Sequence, residues 1–225
     1  MKIYAHRGAS IDFPEMTMDA YKAAVDQGAD GMECDVRLTK DNQMLLWHDA
    51  DMKRTAGYAG RIAEMTYPEI KQHYPQAILL EDLLELAKEN SMELAIETKH
   101  PVPQASAVEK KVLELLDQEE GLADIVLMSF SWLAIENIRK IKPAQKTVAL
   151  LEDKFNFLMR RYSSAAVLGP SVEYLRSNPE LSHQSKPLYV WTVDDGDDMR
   201  FCLESGVEVL ITNNPSYSRK VLGYH

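Results

Sequence analysis

The stretch IYAHRGASIDFPEMTMDAYKAAVDQGADGMECDVRL, residues 3–38, changes its periodicity twice, and that change decides the fold. IYAHR (3–7) and GMECDVRL (31–38) are short strand-like runs. Between them PEMTMDAYKAAVDQG (14–28) repeats apolar residues at three- and four-residue intervals and ends at a glycine, the marks of an amphipathic helix. Strand, helix and strand in succession predict a parallel pair covered by the helix that joins it.

The pattern recurs along the chain. Further strand candidates are ELAIETK (93–99), DIVLMSF (124–130), TVALLE (147–152), AAVLG (165–169), LYVWTV (188–193) and EVLIT (208–212). Helix-like stretches lie at 79–91, 106–118, 131–141 and 197–206. So many alternating units are well served by a TIM (β/α)8 barrel; an open doubly wound sheet is the alternative. One connection breaks the alternation. TKDNQ (39–43) joins GMECDVRL to MLLWHD (44–49), too short for a helical crossover and rich in turn formers, so it reads as a hairpin. Residues 49–77 hold Gly57, Gly60, Pro68 and Pro75 with weak periodicity and read as a small irregular insertion after the second strand. With 225 residues and no linker or repeat, residues 1–225 are expected to form a single domain.

A hydrophobic fraction of 45% with 27% charged residues is that of an ordinary globular chain. A formal net charge of −10 argues against nucleic acid or an anionic membrane surface as a partner, so any phosphate must meet a local cationic site. No apolar run approaches the ~20 residues that would insert stably in a bilayer. The N-terminus turns polar by its sixth residue, which predicts no secretory signal. Cys34 and Cys202 are too few for a disulfide framework, and a reducing cytoplasm is expected.

Glu33 and Asp35, one residue apart on a strand, point to one face with Cβ atoms roughly 6.5–7 Å apart. Two converging carboxylates suit a hard divalent cation, Mg²⁺ or Ca²⁺, and Glu97 in ELAIETK can supply a third oxygen; the plain alternative is solvated strand carboxylates. His6 ends the first strand and His48 ends MLLWHD, where a barrel places its working groups. Two imidazoles can take one proton and give another, as phosphodiester cleavage requires, although a lone histidine is more commonly a surface or structurally satisfied one. Arg7 offers a planar fork to phosphate oxygens, and Lys99 shares the strand face of Glu97; surface salt bridges are the plain alternative for both. Trp191 reads as a pocket wall or a buried barrel tryptophan.

The series HRG, PEMT, GADGMECDVRLTKD, WHD, IETK, WTV and GVEVLITNNP, spanning His6 to Pro215, closely resembles the glycerophosphodiester phosphodiesterase family. The resemblance implies a TIM barrel with a small insertion and a divalent ion held by Glu33, Asp35 and Glu97. It implies His6 and His48 as the acid–base pair, with the roles of each left open. Arg7 and Lys99 match positions that contact the phosphate or the surrounding carboxylates, Trp191 matches the seventh-strand tryptophan, and Glu15 matches a position near the site. The implied reaction releases glycerol 3-phosphate and an alcohol from a small glycerophosphodiester. Two positions depart from the pattern: Met16 stands where the family reads asparagine in PENT, and Asn213 where its last strand often ends T-D-x-P. These bear on substrate preference and rate. The rival readings are a lysophospholipase D acting on lipid substrates and a catalytically silent barrel that binds a phosphometabolite.

Overall fold

The computed structural model of the chain describes residues 1–103, 106–152 and 156–224. The first half runs β1 (Lys2–His6), α1 (Met18–Asp26), β2 (Gly31–Leu38), β3 (Met44–Leu46), α2 (Lys53–Ala56), α3 (Tyr67–His73), α4 (Leu80–Asn90) and β4 (Glu93–Thr98). It continues with α5 (Ala107–Leu116), β5 (Ile125–Ser129), α6 (Trp132–Ile141), β6 (Thr147–Leu151), α7 (Phe157–Tyr162) and β7 (Val167–Pro170). Then follow α8 (Val172–Ser177), β8 (Tyr189–Val190), α9 (Gly196–Glu204), β9 (Val209–Thr212) and α10 (Pro215–Leu222).

Eight strands pair in parallel in the order β7, β6, β5, β4, β2, β1, β9, β8. Parallel bridges at Leu168–Leu188 and Ser171–Trp191 then bring β8 back against β7, so the sheet rolls into the expected barrel and not an open sheet. The hairpin is present: β3 pairs antiparallel with β2, Leu38 opposite Met44. Each strand is buried on two faces, as covered parallel sheets are. On β2, Met32, Cys34 and Val36 pack outward among helix residues such as Tyr21, Leu83 and Val112. Glu33 and Asp35 therefore point inward. The lower lumen is filled by Tyr4, Ala95, Val126, Val148, Val167 and Val209 among others, so it is a packed core with the polar residues above it.

Three expectations need correction. The first helix begins at Met18 and not near Pro14: Met16 is at φ 54, and the Thr17 hydroxyl caps the helix by accepting from the Ala20 N–H (3.3 Å). The third strand stops at Leu46, before Trp47 and His48. The insertion is less irregular than its sequence suggests, since it forms α2, a 3-10 turn at Ile62–Glu64, and α3. These pieces are too short to repeat an apolar stripe; they fold because Leu45, Trp47, Met52, Ile62, Ile70 and Ala77 make a separate small core.

Gly8 fixes the first turn after β1. At φ +84 its missing side chain lets α1 approach so closely that an added Cβ would sit 2.6–2.8 Å from Ala20. Gly8→Ala combines left-handed strain with overpacking against backbone, and should cost about 3 kcal/mol or more in chemical denaturation.

Candidate functional site

The polar groups gather where the chain leaves the C-terminal ends of β1, β2, β3 and β4. His6 is the last residue of β1. Arg7 follows at φ 59, a left-handed turn that folds it back over β2, and its N–H donates to the Glu33 carbonyl (3.1 Å). Its Nε lies 3.0 Å from Asp35 Oδ2. Parallel register sets Asp35 beside Glu97 across β2 and β4. Lys99, just past β4, reaches Asp35 Oδ1 at 3.1 Å and Glu97 Oε1 at 2.8 Å.

Glu33, Asp35 and Glu97 are all buried, and one oxygen from each lies within 4.8 Å of the others. Asp35 is 0% exposed and sits behind the other two. Its oxygens face the two cations, yet neither has a hydrogen bond of acceptable geometry. A buried carboxylate left in that state is costly, and an oxygen-coordinated cation resolves it, so this donor set fits a hard divalent ion. The electrostatics agree. Burial, then the Asp35 charge, push Glu97 up to about 8 and raise Glu33 well above the usual carboxylate range. Burial also acts to raise Asp35, but Lys99 and then Arg7 outweigh it and hold Asp35 well below that range. The cluster thus sets three buried carboxyl groups against two cations, and Glu33 and Glu97 answer by holding their protons more tightly.

His6 and His48 both line a cavity of about 250 Å³ together with Arg7, Glu33, Glu97 and Lys99. Across it stand Met128, Phe130, Leu150, Trp191 and Ile211, with Glu152 at the edge. Trp191 donates its Nε1–H to the Gly169 carbonyl (2.7 Å) and meets the Phe130 ring edge-on at 5.3 Å. Burial, then the Arg7 charge, lower His6 to about 4, so its ring is neutral at pH 7. His48 is lowered chiefly by burial. Its Nδ1 is 2.8 Å from Asp49 Oδ1, and its carbonyl accepts from Arg37 Nε (2.9 Å).

Of the residues singled out in the sequence, His6, Arg7, Glu33, His48, Glu97, Lys99 and Trp191 line this cavity, and Asp35 lies beneath it. Glu15 does not line it. It accepts instead from Arg54 of α2 (2.6 and 3.1 Å) and lies 3.3 Å from Arg7, tying the insertion to the site. Arg54 also donates to Asp49 (2.6 Å), so the insertion braces His48. Sequence reading missed Arg54, Phe130 and Glu152; nothing local marks them. Asp49 stood next to His48, and that adjacency was its only signal.

A barrel with this constellation at its strand ends can hold a divalent ion and a phosphate group side by side. Residues 6–217 match the model of the Glycerophosphoryl diester phosphodiesterase family. The chain belongs to that family of phosphoric diester hydrolases. A Mycobacterium tuberculosis protein named "Probable glycerophosphodiester phosphodiesterase 1" is 34% identical over 96% of this chain and 90% of its own length. The glycerophosphodiester phosphodiesterase of Thermotoga maritima superposes with a TM-score of 0.80 at 25% identity, covering 98% of each chain. An Oleispira antarctica phosphodiesterase, solved with the product sn-glycerol-3-phosphate, superposes at 0.89 with 20% identity, over 99% of this chain and 97% of that one. Among the described residues no helix is long and apolar enough to cross a membrane.

Proposed function

We propose that the chain, acting as one domain in the cytoplasm, hydrolyses small glycerophosphodiesters to sn-glycerol 3-phosphate and an alcohol, with His6 and His48 as the acid–base pair. The observation that carries this reading is the convergence on one cavity of two imidazoles and two cations, with a trio of carboxylates within 4.8 Å of one another at and beneath its floor. The product bound by the Oleispira antarctica relative supports the glycerol phosphate half.

Glu33, Asp35 and Glu97 would hold one divalent ion, Mg²⁺ or Ca²⁺, which when bound supplies Lewis-acid neutralisation of a phosphoryl oxygen. Arg7 and Lys99 offset charge that grows on the phosphoryl group in the transition state. One histidine takes the proton of the attacking water, or of the neighbouring glycerol hydroxyl in a route through a cyclic phosphate. The other protonates the departing alcohol. Trp191 and Phe130 form the apolar wall beside which the alcohol group lies.

A second reading, cleavage of lysophospholipids, draws on the exposed Phe130, Trp132 and Leu133 after β5 and Phe157 and Leu158 in α7, which follows β6. Such residues near the strand ends could carry an acyl chain. The cavity itself, about 250 Å³, suits a small polar diester better. The test is release of sn-glycerol 3-phosphate from glycerophosphocholine, glycerophosphoethanolamine and glycerophosphoglycerol, beside lysophosphatidylcholine, with Mg²⁺, Ca²⁺ or Mn²⁺. Turnover of the short diesters should exceed that of the lysolipid by about 10-fold or more, the size of effect that one mismatched pocket contact gives. No release with any of the three metals would sink the reading.

A further inference from the structure

We propose that Asn213, anchored by Asp194, is the positioning residue that sets the ring orientation and tautomer of His6. The inference rests on the acid–base role proposed for His6.

The contact chain is short and directional. His6 Nδ1 lies 2.7 Å from Asn213 Oδ1. Which end of the amide faces the ring is decided on its far side, where Asn213 Nδ2 lies 2.5 Å from Asp194 Oδ2. A carboxylate oxygen accepts, so the NH₂ end must face Asp194 and the carbonyl end must face His6. Asp194 is itself pinned: its Oδ1 accepts from the Asn213 N–H (2.8 Å) and the Thr212 hydroxyl (2.9 Å). Ser10 Oγ sits 2.7 Å from Asn213 Oδ1 and 2.8 Å from the His6 carbonyl, which braces the same oxygen from the first loop.

An amide oxygen only accepts, so the ring must carry its proton on Nδ1. The neutral imidazole then has its lone pair on Nε2, the nitrogen on the Glu33 side of the ring at 3.9 Å. A free neutral histidine prefers the opposite tautomer, with the proton on Nε2 and no lone pair there to accept from a substrate hydroxyl or water. Asn213 therefore selects the form able to act as a base. The carboxylate absent from position 213 is not lost from the barrel mouth. It stands on the far side of the amide, in Asp194, so the group touching the ring is neutral while the carboxylate holds the amide in place.

The test uses the metal-loaded enzyme with ¹⁵N-labelled histidine, read by NMR for tautomer and by steady-state kinetics. In the wild type the His6 resonances should report the Nδ1–H form. Asn213→Ala should move His6 toward the Nε2–H form, leave His48 unchanged, and lower kcat about 10- to 100-fold with KM within about twofold, as loss of an orienting partner does. The reciprocal double variant Asp194→Asn with Asn213→Asp keeps every hydrogen bond with the charge and the amide exchanged. It should fold, retain the Nδ1–H tautomer and recover most of kcat even if Asn213→Ala proves unstable. His6 remaining Nδ1–H in Asn213→Ala, or a double variant that loses that tautomer, overturns the proposal, as does a shifted tautomer with unchanged kcat. His6→Ala measured in parallel separates this from the broader reading: full turnover there removes the acid–base role itself, whatever Asn213 does.

Discussion

His6→Ala is expected to leave a folded barrel whose turnover has fallen by roughly 10²–10⁴, the range that a positioned proton-transfer group contributes. His6 ends a strand and does not form part of the lumen packing, and Asn213 keeps Ser10 and Asp194 as partners when the ring is gone. The melting temperature should therefore move by no more than a few degrees, and the loss should fall on kcat. His48→Ala should lose a comparable factor, but a p-nitrophenyl leaving group divides the two cases, because such an alcohol departs without being protonated. On the proposal that Asn213 fixes the tautomer, His6 is the base: its Nδ1 is committed to an amide oxygen, leaving Nε2 to accept. His48 is lowered overall by burial, but the Asp49 carboxylate 2.8 Å away opposes that shift and can balance a proton on the ring as it donates to the leaving alcohol. The activated substrate should thus restore most of the His48→Ala loss and little of the His6→Ala loss. Restoration of His6→Ala in place of His48→Ala would reverse the roles.

Stripping the divalent ion should be equally severe, taking turnover to near background, with recovery on adding Mg²⁺ or Ca²⁺ back. The reason is the trio of buried carboxyl groups set against two cations, among which Asp35 has buried oxygens without well-formed hydrogen bonds. Glu97→Gln preserves shape and removes one charge. It should weaken ion affinity by about 100-fold or more in calorimetric titration, at or above the effect of losing a supporting partner around a metal. Carboxylates bind the ion in their deprotonated form, and Glu97 in the metal-free chain holds its proton up to about 8. Wild-type affinity should accordingly rise with pH as both raised groups, Glu97 and Glu33, give up their protons, and the Glu97→Gln variant should rise less steeply because Glu33 alone is left to do so. An activity indifferent to chelators would remove the ion from the scheme.

The insertion measures how far sequence reading goes. Its Gly and Pro content and weak periodicity marked it as an excursion, and it does leave the barrel between β3 and α4. Its helices were not legible because four- and seven-residue segments span too few turns to repeat an apolar stripe, and they are held by a core assembled from Leu45 through Ala77. Its role beside the site was hidden for the same reason: Arg54 acts on Glu15 across 39 residues. Met16, noted as a departure from the family's pattern, is buried at 4% exposure within the apolar core, so the methionine there packs and does not face the cavity.

What the sequence determined by itself is what short-range geometry dictates. A period of two puts Glu33 and Asp35 on one face of a strand, a period near 3.6 makes the covering helices, and five turn-forming residues leave room only for a hairpin. What only the tertiary structure decided is which distant groups meet. His6 and Asn213 are 207 residues apart, and the last strand returns beside the first only because the sheet rolls into a barrel. Hydrogen-bond direction along His6, Asn213 and Asp194 exists only once that ring has formed, since each donor and acceptor is assigned by the partner beyond it.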